Sequence, residues 1–180
     1  MLDLLLSGVA TVLLGPVLLV TASAIRIEDG APVIYRQSRV GQGGRVFTVL
    51  KFRSMPSGTK VAPSAGMGTA TVTKVGTVIR RLNVDELPQL FNILRGDMTL
   101  VGPRPALPTQ STLIDERAQG PAHAARPGLT GLAQVRAYDG MTESAKAVYD
   151  NQYAARITLR GDIKILVSTV GYLFKPPPTY

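Results

Sequence analysis

Two adjacent carboxylates, Asp85 and Glu86, open the run NVDELPQLFNIL, and Arg104 follows in the rigid turn Gly102-Pro103-Arg104-Pro105. These are residue types suited to phosphate chemistry. A carboxylate can attack phosphorus or hold a hard cation, and a guanidinium grips phosphate through two parallel hydrogen bonds. Prolines on both sides of Arg104 fix its backbone instead of leaving it on a mobile loop. Taken alone, the Asp85–Glu86 pair reads more readily as acidic residues favoured at a helix start; the stretch read whole reverses that.

The elements that must position these groups follow from spacing. Leu87, Leu90, Phe91 and Leu94 fall at i, i+3, i+4 and i+7, which predicts one buried helical face. Asn83 with Glu86 three residues on has the form of a capping box, and Pro88 is tolerated because it lies in the first turn. The helix is predicted to end near Gly96, with Arg95 in its last turn. Upstream, Val33–Gln37 and Arg45–Phe52 read as strands around the turn Gly41-Gln42-Gly43-Gly44. Lys51 and Arg53 are two apart, so a continuing strand would point both to one face and Phe52 to the other.

Composition excludes several classes. With no cysteine and a single histidine, His123, there is no disulfide, thiolate metal site or His-rich metal site, and His123 reads as a surface or loop residue. Lys and Arg exceed Asp and Glu to a formal charge of +8, which implies polyanionic surroundings. Nucleic acid is not among the expected partners, because there is no reading motif, basic helix or aromatic platform.

Leu4 to Ile25 carries no charge over 22 residues, about enough for a helix to cover the hydrocarbon of a bilayer. Gly15-Pro16 interrupts it and predicts a kink. Two membrane readings follow: a spanning helix, or a re-entrant one that dips in and returns. Arg26, Arg36, Arg39 and Arg45 place the C-terminal side in the cytoplasm under either. A buried core helix is the third reading.

The remainder is coarser. Fourteen of the 18 residues from Pro56 to Thr73 are Ser, Thr, Gly, Ala or Pro, which predicts a mobile loop. Lys74–Asn83 reads as a short helix with Val75, Val78, Ile79 and Leu82 inward. Thr109–Ala118 is predicted helical, Arg126–Gly131 a structured loop, and Gln134 with Arg136 part of a strand-like run. Thr142–Ala155 and Asp162–Phe174 read as helices. The second of these presents Ile163, Leu166, Val167, Val170 and Leu173, to a membrane interface or to the core. A Pro-rich tail closes the chain at 176–180.

Four stretches in order, Lys51–Met55, Asp85–Leu90, Gly96–Met98 with Gly102–Pro105, and Arg126–Gly131, resemble the signature of the bacterial sugar transferase family, the monotopic polyprenyl-phosphate phosphoglycosyl transferases. The resemblance implies an α/β (mixed α+β) catalytic domain at 27–175. Ahead of it would lie a re-entrant membrane helix at 1–26, broken at Gly15 and Pro16, with amphipathic helices lying at the interface. It implies a cytoplasmic-membrane enzyme, facing the cytoplasm, that passes a sugar 1-phosphate from a UDP-sugar to polyprenyl (undecaprenyl) phosphate. UMP would be released through a covalent intermediate on Asp85, at the first membrane step of exopolysaccharide, O-antigen or glycoconjugate synthesis. Glu86 would act beside Asp85 as base or metal partner, so that Asp85 and Glu86 hold magnesium, with manganese as the alternative ion. Lys51, Arg53, Arg104, Gln89 and Gln134 would bind substrate or phosphate. Anionic lipid is a further expected partner, and a homodimer is compatible with the family. A catalytically silent scaffold of polysaccharide assembly is the competing reading.

Overall fold

The apolar N-terminal run folds as two helices, α1 (Leu2–Leu13) and α2 (Gly15–Asp29), with the second bent away from the line of the first by 59°. Pro16 sits in the first turn of α2, where its missing N–H costs least, so the bend falls where the sequence places it. The computed structural model describes residues 2–59, 72–136 and 141–173. The expected mobile loop at 56–73 lies mostly, and the Pro-rich tail wholly, outside those residues. Among the described residues no single helix is long and apolar enough to cross a membrane, while the bent pair together is, by length and composition.

One stripe of this pair, Ser7, Ala10, Leu14, Leu18, Ala22 and Ile25, faces the rest of the molecule. The opposite side exposes Leu5, Val12, Leu13, Leu19 and Val20. Both ends are fastened to the same domain. The Asp3 carboxylate accepts a hydrogen bond from the Leu100 amide at 3.2 Å. At the other end, Glu28 accepts from the Lys74 and Val75 amides at 2.8 and 2.9 Å. It thereby caps the next helix with a charge that suits a helix N-terminus.

Strands β1 (Ile34–Val40) and β2 (Val46–Phe52) form an antiparallel hairpin in which Tyr35 faces Lys51. Gly43 and Gly44 take left-handed φ values of 64° and 74° in its turn, a conformation that favours glycine. After α3 (Lys74–Arg81), Asn83 is left-handed at φ 53°, Val84–Glu86 forms a 3₁₀ turn, and α4 begins only at Gln89 and runs to Leu94. Asn83 makes no side-chain cap, so the expected capping box does not form. The Glu86 carboxylate has stronger partners, described below. The inward face of α4 is also rotated from expectation. Leu90 is buried as predicted, but Gln89, Asn92 and Ile93 are buried with it, whereas Phe91 is 42% and Leu94 38% exposed. In α3, Ile79 is buried but Val78 and Leu82 are exposed.

Asn92 explains that rotation. Its side-chain amide donates to the Thr48 carbonyl at 2.7 Å and its carbonyl oxygen accepts from the Leu50 amide at 3.0 Å, pinning α4 to β2. Beneath lies a core of Val49, Leu90, Ile93 and Met98, onto which Ala10 and Leu14 of the bent pair also pack.

Strands β3 (Thr99–Val101) and β4 (Gly128–Thr130) pair in parallel. Part of the segment expected as a loop is therefore a strand, hidden from period-based reading because it is three residues long and glycine-flanked. The two backbones come unusually close. A Cβ on Gly102 would stand 2.4 Å from the Arg126 carbonyl oxygen, and one on Gly128 2.1 Å from the Gly102 nitrogen. The helices α5 (Ser111–Ala118), α6 (Leu132–Arg136), α7 (Glu143–Ala155) and α8 (Leu159–Leu173) complete the domain. Gln134 is thus helical, not on a strand-like run. In α8, Ile165 is buried with Leu166 beside it, while Ile163, Val167 and Val170 remain exposed. The architecture is a mixed α/β domain with eight helices and two small sheets among the described residues.

Replacing Asn92 with Ala would strand one buried amide and one buried carbonyl of β2. The expected loss is about 2–4 kcal/mol of stability, read as an earlier thermal transition by circular dichroism in detergent. An unchanged transition would mean that α4 and β2 hold together without it.

Candidate active site

Glu86 is the point where three separate parts of the chain meet. Lys51, near the end of β2, donates to Oε1 at 2.7 Å. Arg104 approaches with both terminal nitrogens, one on Oε1 and the other on Oε2 at 3.2 Å. This is the two-pronged geometry in which a guanidinium best matches a carboxylate. Burial alone would raise the Glu86 pKa, but Arg104 and Lys51 outweigh it and hold the group well below the usual carboxylate range. The Lys51 ammonium is lowered by burial, against the opposing pull of Glu86.

Asp85 is in a different state. Burial, and then the charge of Glu86, push its carboxyl up to about 6, against the pull of Lys51, Arg80 and Arg104. Two neighbouring carboxylates therefore have opposite character. Glu86 is a fixed anion that organises cations, and Asp85 is a more basic carboxylate that titrates near neutrality.

The turn that carries Arg104 is pinned at three successive carbonyls. The Gly128 amide donates to the Pro103 carbonyl at 2.9 Å. Arg117 donates to the Arg104 carbonyl at 3.0 Å, and Arg39 to the Pro105 carbonyl at 3.2 Å. Arg117 is itself held by Asp150, an ion pair with Asp150 fully buried. On the far side of the turn, Val40 and Ala106 exchange backbone hydrogen bonds of 2.9 and 3.2 Å. Close contact of β3 with β4, made possible by Gly102 and Gly128, completes the mounting.

The structure therefore brings Lys51, Asp85, Glu86 and Arg104 together. Gln89 is buried at the start of α4, directly after this cluster. Arg53 goes elsewhere. β2 ends at Phe52, so the two-residue alternation does not carry through. The Arg53 guanidinium turns to the end of α2, where it pairs with Asp29 at 2.8 Å and donates to the Asp29 and Gly30 carbonyls. Gln134 donates to the Leu129 carbonyl at 3.2 Å, at the corner between β4 and α6. Gly15 and Pro16 lie at the bend of the helix pair. His123 is exposed on a 3₁₀ turn, as expected. Sequence reading missed Arg39, Arg117 and Asp150 as parts of this site. Their partners are distant in the chain, and no local pattern marks them.

Comparison with known proteins agrees in direction. A family model described as bacterial sugar transferase matches residues 1–176. The chain is 41% identical to a UDP-glucose:undecaprenyl-phosphate glucose-1-phosphate transferase of Caulobacter vibrioides, over 99% of this chain and 70% of that protein. It is 40% identical to a UDP-N-acetylgalactosamine-undecaprenyl-phosphate N-acetylgalactosaminephosphotransferase of Aeromonas hydrophila, over 93% of this chain and 41% of that one. An exopolysaccharide production protein, ExoY, of Sinorhizobium fredii is 34% identical, over 93% of this chain and 81% of its own length.

The electrostatics give a direct test. In protein labelled at the aspartate carboxyl carbon, the Asp85 resonance should titrate with a midpoint near 6, protonated below and ionised above. Glu86→Gln should move that midpoint down, because it removes the like charge that raises it. A wild-type midpoint at or below 4 would contradict the arrangement.

Proposed function

Because the chain belongs to the bacterial sugar transferase family, we propose that it transfers a sugar 1-phosphate from a UDP-sugar to undecaprenyl phosphate and releases UMP. This would be the first membrane step in building a polysaccharide or glycoconjugate. The names of its relatives support the donor and acceptor classes. The observation that carries the chemistry is the division of labour between the two carboxylates: Lys51 and Arg104 engage Glu86, and Asp85 beside it titrates near 6.

Asp85 is then the nucleophile. At pH 7 a group with that pKa is about nine-tenths ionised, and its raised basicity strengthens it as a nucleophile. One Asp85 oxygen bonds to the sugar-bearing phosphorus as the bridging P–O bond to UMP breaks, its electron pair leaving with UMP. A phosphate oxygen of the lipid then bonds to the same phosphorus. The P–O bond to Asp85 breaks and the carboxylate is regenerated. Arg104 and Lys51 balance Asp85 and Glu86, and Arg80 and Arg39 nearby supply the excess positive charge that attracts the donor diphosphate.

Magnesium suits the residues present. Among the described residues no three carboxylate or imidazole groups converge, so a cation would draw on the Asp85–Glu86 pair, in which Glu86 already serves Lys51 and Arg104. A hard cation with few protein ligands and several phosphate or water oxygens matches magnesium's habit. When bound, by Asp85 and the diphosphate, it would neutralise phosphate charge; manganese is the alternative ion.

The bent helix pair would serve as a re-entrant anchor. Asp3 at one end and Glu28 with Asp29 at the other bond the same domain, which supports both ends lying on the cytoplasmic side. The exposed apolar side of α1 and α2 would face lipid, as would Ile163, Val167 and Val170 of α8.

Two experiments test this. Protein in detergent with magnesium and undecaprenyl phosphate should release UMP from one of a panel of UDP-sugars, and Asp85→Asn should cut that release by roughly a thousandfold or more. Release of UDP instead would refute the mechanism. For topology, the absence of cysteine allows a clean single-cysteine variant, Leu2→Cys. An impermeant maleimide should label it in inside-out vesicles and not in spheroplasts; the reverse pattern would establish a spanning helix.

A further inference from the structure

Arg39 and Arg117 both brace the Arg104 turn, yet they are held in chemically different ways. Arg117 is gripped by a carboxylate, Asp150, so its charge is neutralised where it stands. Arg39 is gripped by an uncharged amide. Gln37 Oε1 accepts from its Nε at 3.1 Å and from a terminal nitrogen at 2.7 Å, and the other terminal nitrogen reaches the Pro105 carbonyl. A guanidinium carries five N–H groups, and these three bonds leave one N–H on each terminal nitrogen that can donate to a phosphate oxygen.

We propose that Arg39 is a phosphate-binding residue of this site, a second guanidinium set beside Arg104, and that Gln37 holds it in place without neutralising it. The ligand is the diphosphate of the nucleotide donor, so the assignment rests on the function proposed above. For a brace alone, a carboxylate at position 37 would be the better partner, as Asp150 is for Arg117. A neutral partner preserves the charge. Burial first, and then the nearby Arg104, pull the Arg39 guanidinium down to about 10, with Glu86 and Tyr35 acting the other way. It therefore stays charged at neutral pH, in a place where an anion shared with Arg104 relieves the repulsion. Lys51, Arg80 and Arg104 act on the Asp85–Glu86 pair and Arg39 on Glu86, so the cations of this site outnumber its two carboxylates.

Gln37→Glu separates the two roles. It keeps the hydrogen-bond geometry and supplies a carboxylate that neutralises Arg39. The full chain in detergent with magnesium would be titrated calorimetrically with inorganic pyrophosphate and with UDP, wild type beside Gln37→Glu, Arg39→Lys and Arg39→Ala. The expected result is an affinity for both probes about tenfold weaker in Gln37→Glu, with no loss of thermal stability, and weaker again in Arg39→Ala. Arg39→Lys keeps the charge without the fork and should fall between wild type and Arg39→Ala. Wild-type affinities in Gln37→Glu would overturn the proposal and make Arg39 a brace only. If the wild type binds pyrophosphate but not UDP, and Gln37→Glu still weakens it, the phosphate role stands while the nucleotide-donor reading falls. If the wild type binds neither, both fall.

Discussion

A buried carboxylate holding two cations is the interaction on which this molecule depends. Lys51, Glu86 and Arg104 come from a strand, a 3₁₀ turn and a proline-bounded turn, and the Glu86 carboxylate ties the three together. Glu86 and Lys51 keep only 17% of their side-chain surface exposed while Arg104 keeps 42%, so removal of either cation would leave Glu86 poorly compensated. The Lys51–Glu86 and Arg104–Glu86 pairs are therefore a poor source of stability and a strong source of specificity. Only one relative placement of β2, the Val84–Glu86 turn and the Arg104 turn satisfies all three groups. The same charges account for the difference between the two neighbouring carboxylates, since Glu86 absorbs the cations and Asp85 is left with burial and like charge.

Support for that triad comes from backbone contacts. The Arg104 turn is held through its carbonyls by Gly128, Arg117 and Arg39, and through the close passage of β3 against β4. Side chains at Gly102 or Gly128 would separate the strands and tilt the turn. Two of the motifs noted in the sequence, the Gly-Pro-Arg-Pro turn and the Arg-Pro-Gly stretch, are in this sense one structural unit divided by 20 residues of chain. On the other flank, Glu28 and Asp29 bind the start of α3 and Arg53, so the end of the anchor and the frame of the site are continuous.

That Asp85, Glu86 and Arg104 suit phosphate was legible in residue type and in the proline-bounded turn, whereas Lys51 joined them only through the resemblance of the ordered motifs to the family signature. The bend at Gly15-Pro16 was legible for the same local reason. What failed was inference across element ends. Strand alternation put Arg53 beside Lys51, but the strand stops at Phe52. A capping box was written into Asn83 and Glu86, yet a lysine and an arginine offer a carboxylate more than one backbone amide does. Helical spacing nominated Phe91 and Leu94 for the core, and a buried amide on Asn92 overruled it. Arg39 was invisible because its second partner, the Pro105 carbonyl, is 66 residues away, and no periodicity reports such a pairing.

The fastening of both ends of the bent helix pair to one body has a mechanical meaning. A bilayer's hydrocarbon is about 30 Å thick, and neither arm of the pair, at 12 and 15 residues, is long enough to cross it alone. In the proposed re-entrant arrangement the stretch from Leu4 to Ile25 would carry no charge into the bilayer's electric field, so voltage would do no work on that segment. Thickening or thinning of the far leaflet likewise exerts no pull on the domain. In the proposed arrangement, the height of Asp85 above the bilayer would be set by the bend between α1 and α2 and by the Asp3 and Glu28 bonds, a ruler built into the chain's own fold.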